Sequence, residues 1–338
     1  MKKILEHFTN KKNLKPLIIA EISANHCGKK NLFLQTIKMA HKNGADLIKI
    51  QTYEPNDITV PSLNKKETKI WKLYDRAKTP FDWHADAFKL ANSIGAKLFS
   101  TPFSIRAVDL LEKFKVKLYK ISSFEITDYL LIDRVAKTKK PVIVSTGMAS
   151  INEIKNCIKI IKKYHNKIIL LHCVSGYPTS IQQANLRRIE TLKNIFPNYN
   201  IGLSDHTNDI VTSLVAIARG ASVIEKHFKI SNRIKSLDSK FSIDSGKLKT
   251  LCNHRNKIYL SLGDGKFKIQ SNEKKSVNYR RSIYATREID KGEKLSNFNI
   301  TTFRPTKGIP SQYYFSILGK KVKKKINKYQ PILFKNIK

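Results

Sequence analysis

The stretch Asn200-Ile-Gly-Leu-Ser-Asp-His206 decides the fold, together with its counterpart one helix later, Ser222-Val-Ile-Glu-Lys-His-Phe228. Each is a short apolar run of strand length that ends in side chains able to bind a metal, carry a proton or hold an anion. In a parallel α/β barrel, the chemistry lies at the carboxyl ends of the strands. His206 and His227 are therefore the first candidates for a divalent metal site.

A single histidine on an apolar strand is more often a core residue with a satisfied hydrogen bond than a metal ligand. Here, however, two strands end alike, and Asp205 and Glu225 stand beside the histidines. Carboxylates near imidazoles set the tautomer and the ligand basicity. The pair of strands therefore favours the metal interpretation.

The rest of the long N-terminal part repeats the same alternation of strand and helix. Apolar runs typical of buried strands, followed by segments with helical spacing, make up eight strand–helix units, and this predicts a (β/α)8 TIM barrel. The other six predicted strands cover residues 17–23, 47–52, 97–101, 118–123, 141–146 and 168–173, and the helical segments include 31–43, 81–94, 105–114, 129–138, 151–164 and 209–219.

Two segments depart from this alternation. The insert at 53–80, which carries Trp71 and Tyr74, is interpreted as an active-site loop above the second unit. After about residue 265 the pattern changes to short strands with turn signals. Since one barrel takes roughly 250 residues, we predict a barrel domain at 1–265, a linker at 266–279 and a small domain at 280–338.

The chain of 338 residues carries a formal net charge of +38. Such a charge raises the possibility of a nucleic-acid or membrane partner. Yet only 12 of the 64 basic residues are arginines, and the lysines are spread over every segment. Specific nucleic-acid readers gather arginine and aromatic side chains on one face. We therefore expect no specific nucleic-acid partner. The alternative is that the dense lysine run at 320–325 binds a polyanion. In either case the positive charge of the protein should attract anionic substrates.

The cysteines and the N-terminus indicate the compartment. Cys27, Cys157, Cys173 and Cys252 form no CxxC pair and no regular spacing, so neither a zinc knuckle nor a disulfide framework is predicted. The start of the chain lacks the apolar core of a signal peptide, and no run of about 18 apolar residues occurs. These patterns predict a soluble protein of the reducing cytoplasm without a membrane partner.

Further polar residues follow the predicted strands and suggest an anion site. Lysines together with hydroxyls can satisfy phosphate oxygens, and a glycine-rich nucleotide loop is missing from the sequence. Glu21 or Glu225 could act as acid or base, and a metal could polarise a carbonyl. A metal-assisted reaction of a phosphorylated substrate is the resulting hypothesis. The candidate phosphate ligands are Lys49, Thr101, Lys120, Ser123 and Ser204.

The motifs that contain these residues resemble a known family. In their order along the chain they are similar to the motifs of the sialic acid synthase family, and the segments 304–305 and 318–320 are similar to its antifreeze-like (SAF) domain. The motifs are Ala20-Glu-Ile-Ser-Ala-Asn-His26, Ile48-Lys-Ile-Gln-Thr52, Ser100-Thr-Pro-Phe103, Tyr119-Lys-Ile-Ser-Ser-Phe-Glu125, Ser145-Thr-Gly147, Gly202-Leu-Ser-Asp-His206 and Ile224-Glu-Lys-His-Phe228.

The resemblance implies a transferase that condenses phosphoenolpyruvate with an N-acetylated amino sugar and releases phosphate. It implies that His206 and His227 bind Mn²⁺ or Mg²⁺, which activates the sugar aldehyde towards the phosphoenolpyruvate methylene. It further implies that water then adds at the cationic C2, with Glu21 or Glu225 stabilising the cation or activating the water. The implied phosphoenolpyruvate ligands are the five candidate phosphate ligands, and the implied sugar ligands are Gln51, Glu125, Tyr177, Asp238 and, in trans within a domain-swapped homodimer, Arg304.

A shorter segment points to one branch of the family. Leu237-Asp-Ser-Lys-Phe-Ser242 resembles the pseudaminic acid synthases, whereas neuraminate and legionaminate synthases carry a histidine where Ser239 stands. The expected sugar is then 2,4-diacetamido-2,4,6-trideoxy-β-L-altropyranose, and a neuraminate or legionaminate synthase is the alternative. Two residues expected near the substrate differ from the pseudaminic acid synthases: His172 stands where these often carry lysine, and Gly176 stands where they usually carry a larger residue. A catalytically inactive carbohydrate-binding or polyanion-binding protein is the competing class, which the retained histidines, lysines and glutamate disfavour.

Overall fold

The computed structural model describes residues 1–9, 14–60 and 65–338, without the side chains of 65–67. The chain divides into two compact units, Met1–Gly263 and Asp264–Lys338. The boundaries at 265 and 279 stay predictions.

The first unit is built on eight parallel strands. Each strand pairs with the next, and the last pairs with the first, so the sheet closes into a barrel. The predicted (β/α)8 TIM-barrel fold is confirmed. The strands are β1 (Leu17–Glu21), β2 (Leu47–Thr52), β3 (Leu98–Pro102), β4 (Tyr119–Ile121), β5 (Val142–Ser145), β6 (Ile168–Cys173), β7 (Asn200–Asp205) and β8 (Val223–His227).

Helices connect the strands, and several begin at side-chain caps. Ser150 accepts from the backbone N–H of Glu153 while the Glu153 carboxylate accepts from the N–H of Ser150, which forms a capping box. The helices of this unit are α1 (Lys2–Leu5), α2 (Lys30–Lys42), α3 (Pro55–Ile58), α4 (Lys65–Ala77), α5 (Trp83–Ser93), α6 (Ile105–Lys113), α7 (Tyr129–Lys137), α8 (Ile151–Lys162), α9 (Arg188–Ile195), α10 (Val211–Ala218) and α11 (Ser245–Leu262), with short 3₁₀ helices at Glu6–Phe8 and Ile181–Gln183.

The insert at 53–80 is largely helical, since it contains α3 and α4, whereas the sequence interpretation made it a loop. Part of that interpretation, residues 61–64, lies outside the described residues. The Trp71 indole N–H donates to Asn56 Oδ1 at 2.6 Å. The ring of Tyr74 packs edge-on against Tyr53, with 6.0 Å between centroids. These contacts fix α4 to the end of β2.

Alternation along the strands sorts their side chains into two sets. Ile18 and Ala20 of β1 belong to the large core between the strands and the helices. Leu17 and Ile19 belong instead to a smaller cluster that fills the amino-terminal half of the barrel. Successive strand residues point to opposite faces. Every second residue after Leu17 and Ile19, and the equivalent residues of the other strands, therefore point into the barrel. Those near the carboxyl ends can form a site there.

Gly202 of β7 stands at an inward position where space is lacking. A Cβ atom there would come within 2.3 Å of the Val223 carbonyl oxygen and within 2.6 Å of Leu171 Cδ2. The absence of a side chain therefore lets β7 and the neighbouring Leu171 approach closely just below Ser204.

The second unit is small. β9 (Ser282–Ala285) and β10 (Ile300–Phe303) pair antiparallel, and a short helix, α12 (Tyr314–Ile317), follows. The chain turns at Gly292 in the left-handed region, with φ of 89°. Further 3₁₀ helices cover Ser271–Tyr279, Ser311–Tyr313 and Phe334–Asn336. Its own core consists of buried aliphatic residues, among them Ile283, Ile289, Leu295, Ile300, Ile309 and Ile332.

Within the described residues, none of the helices combines the length and the apolar character that crossing a bilayer requires. All four cysteines have free thiols.

Candidate active site

Polar side chains replace the apolar ones at the inward positions near the carboxyl ends of the strands. Because the inner set follows every second residue, one face of each strand changes from core to polar site as the strand rises. These polar positions are Glu21, Lys49, Gln51, Thr101, Lys120, Ser145, Cys173, Ser204, His206, Glu225 and His227.

Four of these residues form a buried cluster of charges, named here the charge quartet: Glu21, Lys49, Lys120 and Glu225. The Lys49 ammonium contacts the Glu21 carboxylate and lies 3.6 Å from Glu225 Oε2. Lys120 Nζ lies 3.4 Å from Glu225 Oε1. All four residues are buried, with exposures of 4% or less. Two cations therefore face two anions in a site closed to bulk water.

Burial and ion pairing act in opposite directions on the quartet. Burial would raise the pKa of Glu225, but Lys120 and Lys49, with smaller contributions from Ser204 and His227, outweigh burial and bring the pKa down to about 2. Burial raises the pKa of Glu21, and contact with Lys49 only opposes the rise. The two carboxyls thus differ: Glu225 is held ionised, while Glu21 has an increased affinity for a proton.

Hydroxyl groups surround the two lysines. Lys49 Nζ donates to Thr101 Oγ1 at 3.0 Å, and Lys120 Nζ donates to Ser145 Oγ at 2.7 Å. Ser204 Oγ donates to Glu225 Oε1 at 3.0 Å. Cations and small donors at this density match the needs of a phosphate or carboxylate.

Gly147 closes one side of this region. Its backbone N–H donates to Ser123 Oγ at 3.0 Å. A Cβ at Gly147 would lie 2.3 Å from Ser175 Oγ and 2.7 Å from Ser123 Oγ. The two serine hydroxyls therefore approach the backbone as closely as glycine alone permits.

The two candidate metal ligands lie side by side. The ring centroids of His206 and His227 are 5.4 Å apart. His206 Nδ1 is 2.9 Å from the Val174 carbonyl oxygen. His227 Nδ1 is 3.5 Å from Asp238 Oδ2. Each ring thus turns Nδ1 towards an oxygen atom, so Nε2 is the nitrogen left for a metal ion. Among the described residues, His227 Nδ1 has no hydrogen-bond partner, so its contact with Asp238 is longer than a hydrogen bond.

Aromatic rings enclose the histidines. Tyr177 lies 4.2 Å from His206 between centroids, and Phe241 lies 4.8 Å from His227. Burial would raise the pKa of the Asp238 carboxyl, but His227, Ser23 and the Ala24 N–H together outweigh burial and lower the pKa. An ionised Asp238 is therefore available to orient His227.

The residues present fit a divalent metal with an incomplete protein ligand set. Among the residues that the structure describes, no group of three or more His, Cys, Asp or Glu side chains is arranged to hold a metal ion. Two imidazoles oriented through Nδ1 by a carbonyl oxygen and by a carboxylate are nevertheless typical of metal ligands. His206 and His227 could provide two nitrogens, with water and substrate completing the coordination.

The Asp205 carboxylate does not contact the histidine rings, in contrast to the interpretation of the sequence. Its carboxylate accepts hydrogen bonds from Thr207, Thr212 and Ser213 on the helix side of β7. The reason is the strand alternation: Asp205 follows Ser204 and precedes His206, so its side chain points to the opposite face. Asp238, from the loop after β8, takes the place beside His227 instead.

The remaining predicted sugar ligands are spread around this centre. Gln51 continues the inward set of β2 and is half-buried, opposite Thr101 in the strand register. Glu125 follows β4 and accepts from Ser122, and burial raises its carboxyl pKa. Arg304 belongs to the second unit, where it is exposed, and its role in trans stays a prediction.

Three residues of the site were not among the predicted ligands. Ser145 and Cys173 end β5 and β6 at inward positions, so strict use of the alternation would have found them. Cys173 Sγ lies 3.9 Å from His206 Nδ1. Phe241 lies in the long connection between β8 and α11, where the sequence has no periodicity that would indicate its place.

Fold and site together define an enzyme of the (β/α)8-barrel class with a buried, charged interior. Residues 36–267 match the NeuB family and residues 280–338 match the SAF domain. The chain belongs to the NeuB family, and the predicted relationship is confirmed.

Named relatives cover nearly the whole chain. A pseudaminic acid synthase from Campylobacter jejuni is 41% identical over 92% of this chain and 94% of its own length. One from Helicobacter pylori is 38% identical over 94% of this chain and 96% of its own. A crystal structure of an N-acetylneuraminic acid synthetase from Leptospira borgpetersenii superposes with a TM-score of 0.72 at 33% identity, covering 78% of this chain and 91% of that one.

Proposed function

We propose that this protein is a pseudaminic acid synthase, which joins phosphoenolpyruvate to the altrose-configured diacetamido sugar, consumes water and releases phosphate. The observation that carries the proposal is the combination of two adjacent sites in one barrel: the charge quartet with its hydroxyls, and the oriented pair His206 and His227. Support for this substrate comes from the relatives of that activity, which match this chain over more than nine-tenths of its length.

The quartet and its hydroxyls would bind phosphoenolpyruvate. Lys49 and Lys120 are buried cations in the barrel interior, and they donate to the hydroxyls of Thr101 and Ser145, respectively. Their charges can neutralise the phosphate and the carboxylate of the substrate. The hydroxyls of Ser123 and Ser204 would complete the set of donors. Burial of this site strengthens each of these interactions relative to water.

His206 and His227 would hold a Mn²⁺ or Mg²⁺ ion, which supplies Lewis-acid activation of the sugar carbonyl when it is bound. Asp238 and the Val174 carbonyl fix the two rings for this task. Tyr177 and Phe241 cover the rings and would exclude water from the reacting face.

The two glutamates would have separate roles. Glu225, with its pKa near 2, stays ionised at neutral pH and is suited to stabilising positive charge that develops at C2 of phosphoenolpyruvate. Glu21, whose pKa burial raises, is the better candidate to exchange a proton with the attacking water, because a general base works best when its pKa approaches the operating pH.

Phosphate release tests this proposal. The full chain is incubated with phosphoenolpyruvate and Mn²⁺, and the altrose-configured diacetamido sugar and N-acetylmannosamine are offered in parallel. We expect phosphate release with the first sugar alone. Release with N-acetylmannosamine alone would contradict the assignment and favour a neuraminate synthase, the alternative that the Leptospira structure supports. Release with neither of these sugars nor a legionaminate precursor would favour a binding protein.

We further propose that the active form is a cytoplasmic homodimer in which the SAF unit of one chain covers the barrel of the other. Large apolar side chains are exposed in the connections that follow β4, β5 and β6: Phe124 at 59%, Met148 at 63% and Ile181 at 59%. Exposed apolar groups clustered around a pocket are typical of a surface that a partner covers.

Truncation before Val277 tests the role of the SAF unit. Since the barrel has its own core, we expect the shortened chain to keep its far-ultraviolet circular dichroism per residue and to lose phosphate release. Sedimentation of the full chain should show a dimer. A truncated chain that keeps full activity would contradict the covering role.

A further inference from the structure

A second buried ion pair lies on the outer face of the same strands that carry the histidines. Lys226 of β8 is 0% exposed and Asp205 of β7 is 3% exposed. Lys226 Nζ lies 3.1 Å from Asp205 Oδ2. The two residues are also direct partners in the β7–β8 backbone register. Neither side chain reaches the barrel interior, so the reaction as proposed above leaves the pair without a role.

The hydrogen bonds of this pair are complete. Lys226 Nζ donates to the Thr207 carbonyl oxygen and, at 3.1 Å, to Thr207 Oγ1, in addition to its contact with Asp205. Asp205 Oδ1 accepts from the Thr207 N–H at 2.9 Å. Asp205 Oδ2 accepts from Thr212 Oγ1 at 2.7 Å and from Ser213 Oγ at 2.6 Å. The ammonium thus has three acceptors, and the carboxylate is saturated by donors from the loop and from α10.

These bonds hold the backbone on both sides of His206. Asp205 precedes the histidine within the strand, and Thr207 follows it with its N–H, hydroxyl and carbonyl all engaged by the pair. Lys226 directly precedes His227 on the adjacent strand. The pair therefore connects the residues next to one histidine with the residue next to the other, at the last rung of the β7–β8 ladder.

Stability alone is a poor explanation for such a pair. A buried ion pair must offset the loss of hydration of both charges, and well-packed apolar side chains in its place are often as stable or more stable. What apolar side chains lack is direction, whereas hydrogen bonds to defined atoms fix a spacing. The geometry of this pair fixes the spacing between the two strand ends.

We propose that Asp205 and Lys226 are positioning residues that set His206 against His227 and so determine the affinity of the two-histidine centre for a divalent cation. The inference rests on the proposed function, because it requires that the two histidines bind the ion. Side chains outside the ligand set that orient metal ligands typically change metal affinity by about 10- to 100-fold when they are replaced.

The test is calorimetric titration of the full chain with Mn²⁺ in the absence of substrates, accompanied by urea unfolding. We expect Asp205→Asn to weaken Mn²⁺ binding by about 10- to 100-fold. The double variant Asp205→Asn with Lys226→Met removes both charges, so it should regain urea resistance relative to the single variant while its Mn²⁺ affinity stays low. Recovery of affinity together with stability would overturn the positioning role.

Asp46→Asn is the matched control. Asp46 pairs with the buried Arg255 guanidinium at 2.5 Å, at the amino-terminal end of the barrel. Its loss leaves a buried cation unpaired, as the loss of Asp205 does, and we expect lower urea resistance with unchanged Mn²⁺ affinity. Equal weakening of Mn²⁺ binding by Asp46→Asn and Asp205→Asn would also overturn the inference, since the effect would then be a general one of stability.

His206→Ala distinguishes failure of the inference from failure of the proposed function. Loss of Mn²⁺ binding in His206→Ala, with wild-type binding in Asp205→Asn, would keep the metal centre and overturn the positioning role alone. Absence of Mn²⁺ binding by the wild-type chain, with and without phosphoenolpyruvate, would overturn both.

Discussion

Glu21 and Glu225 show how neighbouring residues of one chemical type acquire different properties. Both carboxyls are buried, and both contact lysine. Glu225 lies between two cations, whereas Glu21 has one, and this difference sets the opposite directions of their pKa shifts. The number of charged neighbours, which a linear sequence does not display, therefore separates the two roles.

Replacement of Glu21 by glutamine tests its role in proton transfer. The amide can still accept from the Ser23 N–H, which donates to Glu21 Oε1 at 2.8 Å, so the barrel should remain folded. We expect kcat for phosphate release to fall by about 10²- to 10⁴-fold, the usual effect of removing a general acid or base. Phosphate release under saturating substrates is the measurement.

Glu190→Gln is the control for this substitution. Glu190 pairs with Arg219 at 2.5 Å on the surface, and exposed pairs of this kind contribute little. Its kcat should stay within about twofold of wild type. Retention of more than a tenth of the wild-type kcat in Glu21→Gln would contradict a proton-transfer role.

Strands and helices are the scale at which the sequence was most informative. The ranges 47–52 and 168–173 match β2 and β6, and the other strands differ by a residue or two at their ends. Their signal is strong because burial on both faces produces nearly continuous apolar runs. In contrast, α9 and α11 were not specified, and the helical character of the insert was missed, because charged residues dilute the apolar pattern of these segments.

Within the candidate site, the sequence indicated the grouping of residues on strands more clearly than that of residues in loops, and the roles of all these residues stay predictions. The charge quartet and the two histidines could be gathered from the sequence because strand ends of a barrel must meet. Their pairing, Lys49 with Glu21 and Lys120 with Glu225, required coordinates. Asp205 was assigned to the wrong face because polar residues at strand ends were read without regard to alternation, and Phe241 could not be placed because its loop has no repeating pattern.

Close contact between neighbouring strands gives a test at this scale. Gly202→Ala would force a methyl group against the Val223 carbonyl and Leu171. Overpacking of this kind typically costs about 1–3 kcal/mol, so we expect a lower urea midpoint. Because Gly202 lies below Ser204, phosphate release should fall as well.

Gly246→Ala serves as the comparison for Gly202→Ala. A Cβ at Gly246 would meet only Asp244 Oδ1, at 3.4 Å, and alanine is the better helix former in the first turn of α11. We expect an unchanged or slightly higher urea midpoint. A Gly202→Ala chain as stable as the Gly246→Ala chain would show that the barrel relaxes around the added methyl.

At the scale of the whole molecule, buried neutral histidines link stability to pH. His26, His84 and His172 are each exposed by 1% or less. Burial lowers the pKa of each imidazole below 6.5, against backbone hydrogen bonds that raise it. Near and below pH 6.5 these three imidazoles therefore bind more protons in the unfolded chain than in the folded chain, and their contribution to stability falls as the pH drops through this range.

We expect the urea midpoint to decrease between about pH 7.5 and about pH 5.5. The free energy of unfolding should fall by up to about 1.4 kcal/mol per pH unit for each proton taken up on unfolding. His84 Nε2 lies 2.8 Å from Thr52 Oγ1, and His84→Gln should preserve a polar contact while reducing the pH dependence. Urea titrations of both chains across this range are the measurement. Parallel pH dependences in the two chains would contradict the contribution of His84.

The alternation in the barrel strands also constrains how such a sequence can change over generations. Every inward residue of β8 is separated from the next by a residue that faces the helices, so insertion or loss of a single residue would exchange His227 for Lys226 in the interior. A substitution changes one side chain of the site, whereas a change in strand length would replace every inward side chain beyond it. We therefore expect differences in length between related chains to fall in the loops, where they leave the alternation of the strands unchanged.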